Sequence, residues 1–186
     1  MQILICGDSF AADWQVKYPG SQGWPNMLAK DYAVTNLAQA GCGEYKIYQQ
    51  LLSVNLKKFD VVIISHTSPY RLYVKQHPIH HNDPLHANSD LIYSDAVEHG
   101  LNSVVEYFEK YFDLEYADFI HGLICKKIDH LLINKSVIHM EHTGESKYKF
   151  KDILNFEQLF KQHRGTINYY DEKGNIEIYN SIKSKL

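Results

Sequence analysis

The first apolar run of the chain, Ile3-Leu4-Ile5-Cys6, is short, has no polar interruption, and stops at Gly7-Asp8-Ser9. Such a run predicts a strand buried on both faces. Residues 33–37 predict a second strand, which closes in Ala40-Gly41-Cys42-Gly43. Asp60-Val61-Val62-Ile63-Ile64-Ser65 is the clearest strand of all, and residues 136–140 give a fourth. Helical spacing fills the gaps between them, over residues 24–30 and again over 45–56, where apolar side chains recur at 47, 48, 51, 52 and 56. Strand and helix alternating at short intervals predict an α/β fold of three αβα layers. Its core is a doubly wound parallel sheet of four or five strands in the flavodoxin-like order 2-1-3-4-5. Sites in such sheets lie at the carboxyl ends of the strands.

The rhythm changes after residue 70. Pro78, Pro84 and the His/Asn/Asp-rich residues 76–90 predict an ordered excursion, followed by helices over about 94–111 and 115–133. The second helix shows an apolar face through Phe119, Leu123, Ile124, Ile128 and Leu131. A last helix runs from 174 to the end with Ile176, Ile178, Tyr179 and Ile182 inward. The expectation is one domain over residues 1–186 carrying an insertion at about 72–133.

Composition narrows the classes. The chain has 19 basic and 22 acidic side chains, a net charge of −3, and lysines that form no stripe, so nucleic acid is not an expected partner. No apolar run is long enough to span a bilayer, and the chain opens directly into a strand, so no membrane or export signal is read. Three cysteines, Cys6, Cys42 and Cys125, form an odd set that fits a reducing compartment. The expected location is cytoplasmic, where the Asn134-Lys135-Ser136 sequon has no use. Tyrosine (14) and histidine (11) are abundant, which suits polar ligands such as sugars as well as core packing.

Chemistry gathers at the predicted strand ends. Gly7-Asp8-Ser9-Phe10 places a hydroxyl just past the first strand, where a helix N-terminus stabilises developing negative charge. Asn36-Leu37-Ala38-Gln39-Ala40-Gly41 closes the second strand on a glycine with a free N–H. Ser65-His66-Thr67-Ser68-Pro69-Tyr70-Arg71 follows the third. A flavodoxin-like phosphate turn is disfavoured because the first turn has one glycine rather than a glycine-rich loop.

With these blocks the chain resembles the SGNH/GDSL hydrolase family over roughly two thirds of its length. The resemblance implies a serine esterase or acyltransferase acting on a small acylated substrate, such as an acylated sugar. Its nucleophile would be Ser9 and its oxyanion donors the backbone at Ser9 and Gly41. The third block departs from the family's Gly-x-Asn-Asp, and Thr67 stands at the asparagine position, where a hydroxyl can still donate one bond. The last block departs further: counting back from Gly174, Tyr169 falls on the histidine and Thr166 on the aspartate. A phenol of ordinary pKa is no general base at neutral pH. His66 is the substitute base first in line, with His142 second.

Asp8, Tyr70 and Arg71 are read as substrate-binding, with Arg71 suited to a carboxylate or phosphate. The segment from His77 to His86 is read as a polar lid rather than a metal site, because two prolines break any helix that would align its imidazoles. No cofactor and no metal are expected. The alternative function is a catalytically inactive binding protein that keeps the fold and the pocket for a small molecule or glycan.

Overall fold

The computed structural model describes residues 1–186. Its sheet has five parallel strands in the order β2-β1-β3-β4-β5. These are β1 (Gln2–Gly7), β2 (Ala33–Asn36), β3 (Val61–Ser65), β4 (Ser136–Glu141) and the two-residue β5 (Leu154–Asn155). The predicted α/β class and strand order are those observed. In β1 and β3 successive side chains serve opposite layers, which is why both runs are wholly apolar. Ile3, Ile5 and Ile63 meet α1 (Trp24–Asp31) and α7 (Glu172–Lys183) through Trp24, Leu28, Ile178 and Ile182. Leu4, Cys6, Val62 and Ile64 meet α2 (Glu44–Leu52) and α5 (Leu114–Leu131) through Ile47, Leu51 and Ile128.

Four expectations change. The helix predicted over 94–111 is two helices, α3 (Tyr93–Glu98) and α4 (Asn102–Lys110). Gly100, at φ +65°, supplies the left-handed residue that ends the first. The helix predicted over 45–56 stops at Leu52, and Asn55 caps a separate 3-10 turn by accepting from the Lys57 N–H. In α5 the buried side chains are His121, Cys125 and Ile128, while Phe119 and Leu123 are exposed. Ile128, Ile124 and Leu131 of the predicted face do pack on the core, but His121 and Cys125 share the inward stripe and displace Phe119 and Leu123 from it. In α7 Ile176 likewise faces outward, and the helix begins at Glu172 because the Asp171 side chain caps it, accepting from the Gly174 N–H at 2.7 Å.

The segment between β3 and α5 folds back over the carboxyl edge of the sheet. Leu72 and Leu91 exchange both backbone bonds, and the Asp90 N–H reaches the Gly41 carbonyl at 2.9 Å. α5, by contrast, is a layer helix on the sheet face, not part of that excursion. After β5 come α6 (Glu157–Gln162) and a short extended segment, β6 (Arg164–Ile167), which leads into the turn before α7. No helix is long and apolar enough to cross a membrane.

Candidate functional site

Ser9 lies in the turn after β1, which side chains from across the molecule hold in place. The indole N–H of Trp14 donates to the Ser9 carbonyl at 2.9 Å and the Trp24 indole to that of Phe10 at 2.8 Å. The Asn168 amide adds bonds to the Ser9 and Ala12 carbonyls. Asp8 is buried and accepts from the Phe10 N–H and the Ser65 hydroxyl. Burial outweighs the nearby Arg71 and raises its carboxyl to about 6. Ser9 itself is only 3% exposed, yet neither its N–H nor its Oγ has a partner in the chain. The Gly41 N–H is equally unpartnered. Gly41 sits at φ +76°, and a Cβ there would come within 2.5 Å of Ser89 Cβ, so the excursion closes directly over it.

The histidines of this edge do not serve Ser9. His66 Nδ1 meets Glu44 Oε1 at 2.7 Å, and its Nε2 meets His139 Nδ1 at 2.9 Å. The ring is oriented by a carboxylate as a catalytic base would be, but it is aimed along β4 rather than at the serine. Both nitrogens of His66, the base first in line from the sequence, are thus engaged away from Ser9. Glu44 also faces His121 at 3.4 Å and accepts from the Thr67 N–H. Burial alone would raise its carboxyl, but His66 and His121 hold it below the ordinary range. His139, pushed down to about 3 by burial and then by His66, stands 3.5 Å from Asp129. Glu44, His121 and His139 were not singled out in the sequence, since their partners lie on three different elements.

Thr67 Oγ1 is engaged on one side, accepting from Arg71 Nε at 3.1 Å. Arg71 Nη1 donates to the Gly41 carbonyl at 3.0 Å, which ties the second and third loops together. Beyond this brace lies a cleft of ≈ 340 Å³, open to solvent and floored by Gly43, Glu44 and Arg71. Neither Ser9 nor Tyr70 lines it.

No family model matches this chain. No curated protein matches it either. Among solved structures, a protein assigned to the lipolytic G-D-S-L family from Desulfitobacterium hafniense matches over 100% of this chain and 99% of its own, at 16% identity and a TM-score of 0.41. The α/β class and strand order stand on the strand pairing itself.

The last block does return to the Ser9 turn. Tyr169, at φ +63°, packs its ring 5.0 Å from Phe10 and 5.5 Å from Trp14. Thr166 is exposed on the preceding segment. His142 lies fully buried, stacked on Phe10 at 4.4 Å, with Nδ1 bonded to the Tyr170 hydroxyl at 2.7 Å and Nε2 unpartnered. It too makes no bond to Ser9.

Three groups of side chains bring donor atoms close enough to share an ion: His77–His80–Asp95, Glu44–His66–Cys125, and Asp95–Glu98–His99, which shares Asp95 with the first. In the first, His77 Nδ1 accepts the N–H groups of Ile79 and His80, which leaves the ring proton on Nε2, 2.9 Å from Asp95. A metal-ligating imidazole donates from its far nitrogen instead. In the second, Glu44 and His66 already satisfy one another by direct contact.

Proposed function

We propose that this chain is a ligand-binding protein on a serine-hydrolase-like scaffold, taking a small polar molecule such as a glycan or acylated sugar at the carboxyl edge of the sheet. The observation that carries this reading is that no imidazole nitrogen bonds Ser9 Oγ. His66 is held between Glu44 and His139, and His142 is bonded to Tyr170 through Nδ1 and makes no bond to Ser9. A positioned base contributes about 10²–10⁴-fold to such chemistry, and a serine without one is a poor nucleophile. The open cleft beside Arg71, rather than the closed turn at Ser9, offers the ligand space. The three free, buried thiols are in keeping with a reducing compartment.

A second reading, a serine esterase or acyltransferase, is favoured by one feature. The N–H groups of Ser9 and Gly41 and the Ser9 hydroxyl are all unpartnered, as an oxyanion hole and its nucleophile would be. A fluorophosphonate probe separates the two, because only an activated serine reacts at neutral pH. The binding reading expects no adduct by intact mass in the folded protein. One adduct that disappears in Ser9→Ala establishes the esterase instead.

A further inference from the structure

We propose that the cleft between α2, α4 and α5 is a binding site for an acidic sugar, with its ring against tyrosines and its carboxylate on Arg71. The proposal rests on the binding reading above and adds the class of ligand.

Five tyrosines from separate segments converge on this cleft: Tyr45 on α2, Tyr73 after β3, Tyr107 and Tyr111 at the end of α4, and Tyr116 on α5. All five are exposed, Tyr111 and Tyr116 at 70% and 65%. Large aromatic rings gathered at one opening in this way mark a contact surface. The tyrosine hydroxyls with partners in the chain belong to Tyr93, Tyr148, Tyr170 and Tyr179, so the five at the cleft are free. Aromatic faces bearing unpartnered hydroxyls match a sugar, whose C–H face stacks while its hydroxyls bond. At ≈ 340 Å³ the cavity suits one or two rings.

The charge at the floor selects an acid. Glu44 is paired with His66 and His121, Asp90 with Lys46 at 2.7 Å, and Asp113 accepts from the Tyr116 N–H as the cap of α5. Arg71 alone has no carboxylate within salt-bridge distance: Nε and Nη1 are spent on Thr67 and the Gly41 carbonyl, and Nη2 has no acceptor. Asp8 is buried and makes no ion pair with Arg71. A guanidinium braced on two sides with one free edge is pre-organised for an incoming carboxylate.

The experiment is calorimetric titration of the whole protein with a glucuronic-acid-containing disaccharide, with cellobiose and with glucose 6-phosphate. The uronate is expected to bind at least about tenfold more tightly than cellobiose, a difference of about 1.4 kcal/mol. Arg71→Gln should abolish that preference, and Tyr111→Ala and Tyr116→Ala should each weaken binding about threefold to tenfold. The two tyrosines are exposed, so their replacement leaves the fold intact if Arg71→Gln does not. Equal affinity for cellobiose, tighter binding of the phosphate, no effect of the tyrosine changes, or no heat at about 10 mM uronate would each overturn the proposal. A Ser9 adduct with fluorophosphonate would overturn the non-hydrolytic reading and leave this titration untouched, so the two failures are separate.

Discussion

Acidification should unfold this protein partly through His142. The ring is wholly buried, and burial, then the nearby His66, pushes it down to about 3 from an ordinary 6.5. The fold therefore favours the neutral ring, and the unfolded chain takes up the proton first. The resulting stability is present above pH 6.5 and is lost as pH falls toward 3. Between pH 7 and pH 4 the difference of about 2.5 pH units costs roughly 3 kcal/mol, a large share of the 5–15 kcal/mol that holds a typical domain. The comparison is His142→Phe with Tyr170→Phe. Phenylalanine keeps the stacking on Phe10, and removing the phenol avoids leaving its hydroxyl without the His142 partner. Urea unfolding followed by tryptophan fluorescence at pH 7, 6, 5 and 4 measures both proteins. The Tyr170 phenol, raised by burial, does not titrate in this range and the remaining groups are shared, so the two curves of stability against pH should diverge by about 3 kcal/mol at pH 4, with the wild type falling faster. Parallel curves would refute the argument, for they would mean that His142 takes up its proton without unfolding.

Other consequences can be checked in the same way. The pair Thr166→Asp with Tyr169→His should raise p-nitrophenyl acetate cleavage about 10²-fold in a serine-dependent manner, since position 169 sits against the residue after Ser9; no gain over the same pair carrying Ser9→Ala would show the base is misplaced. Lys46→Met should cost about 3 kcal/mol in urea unfolding, because the Lys46–Asp90 pair is nearly buried and Asp90 would be left unpaired; a loss below about 1 kcal/mol would mean Asp90 re-solvates. Gly41→Ala should cost about 2–4 kcal/mol from its left-handed backbone and the contact with Ser89, and Ser89→Gly should restore only the contact part; full restoration would rule out backbone strain.

The sheet was legible because the middle residues of β1 and β3, Ile3–Cys6 and Val61–Ile64, are buried on both sides and are all apolar, a constraint local enough to read from four residues. The Ser9 turn was legible for the same reason, lying immediately after such a run. The fate of the site was not. His66 looks available until Glu44, 22 residues before it, and His139, 73 residues after it, are seen to take both nitrogens. Asn168 carries no pattern, yet it is fully buried and pins the serine turn from the other end of the chain. In α5 the apolar spacing favoured Phe119 and Leu123, but the inward face was decided by His121, which must reach the Thr67 carbonyl. Long-range pairing of polar groups leaves no periodic trace.

The buried line from His121 through Glu44 and His66 to His139 has a consequence for anyone substituting within it. Its members are in direct contact, so the hydrogen bond of each one depends on its neighbour. Replacing any one of them leaves a neighbour without its partner, and the effects of two replacements will not sum. Because Glu44 also lines the cleft beside Arg71, a change anywhere along the line is felt at that cleft.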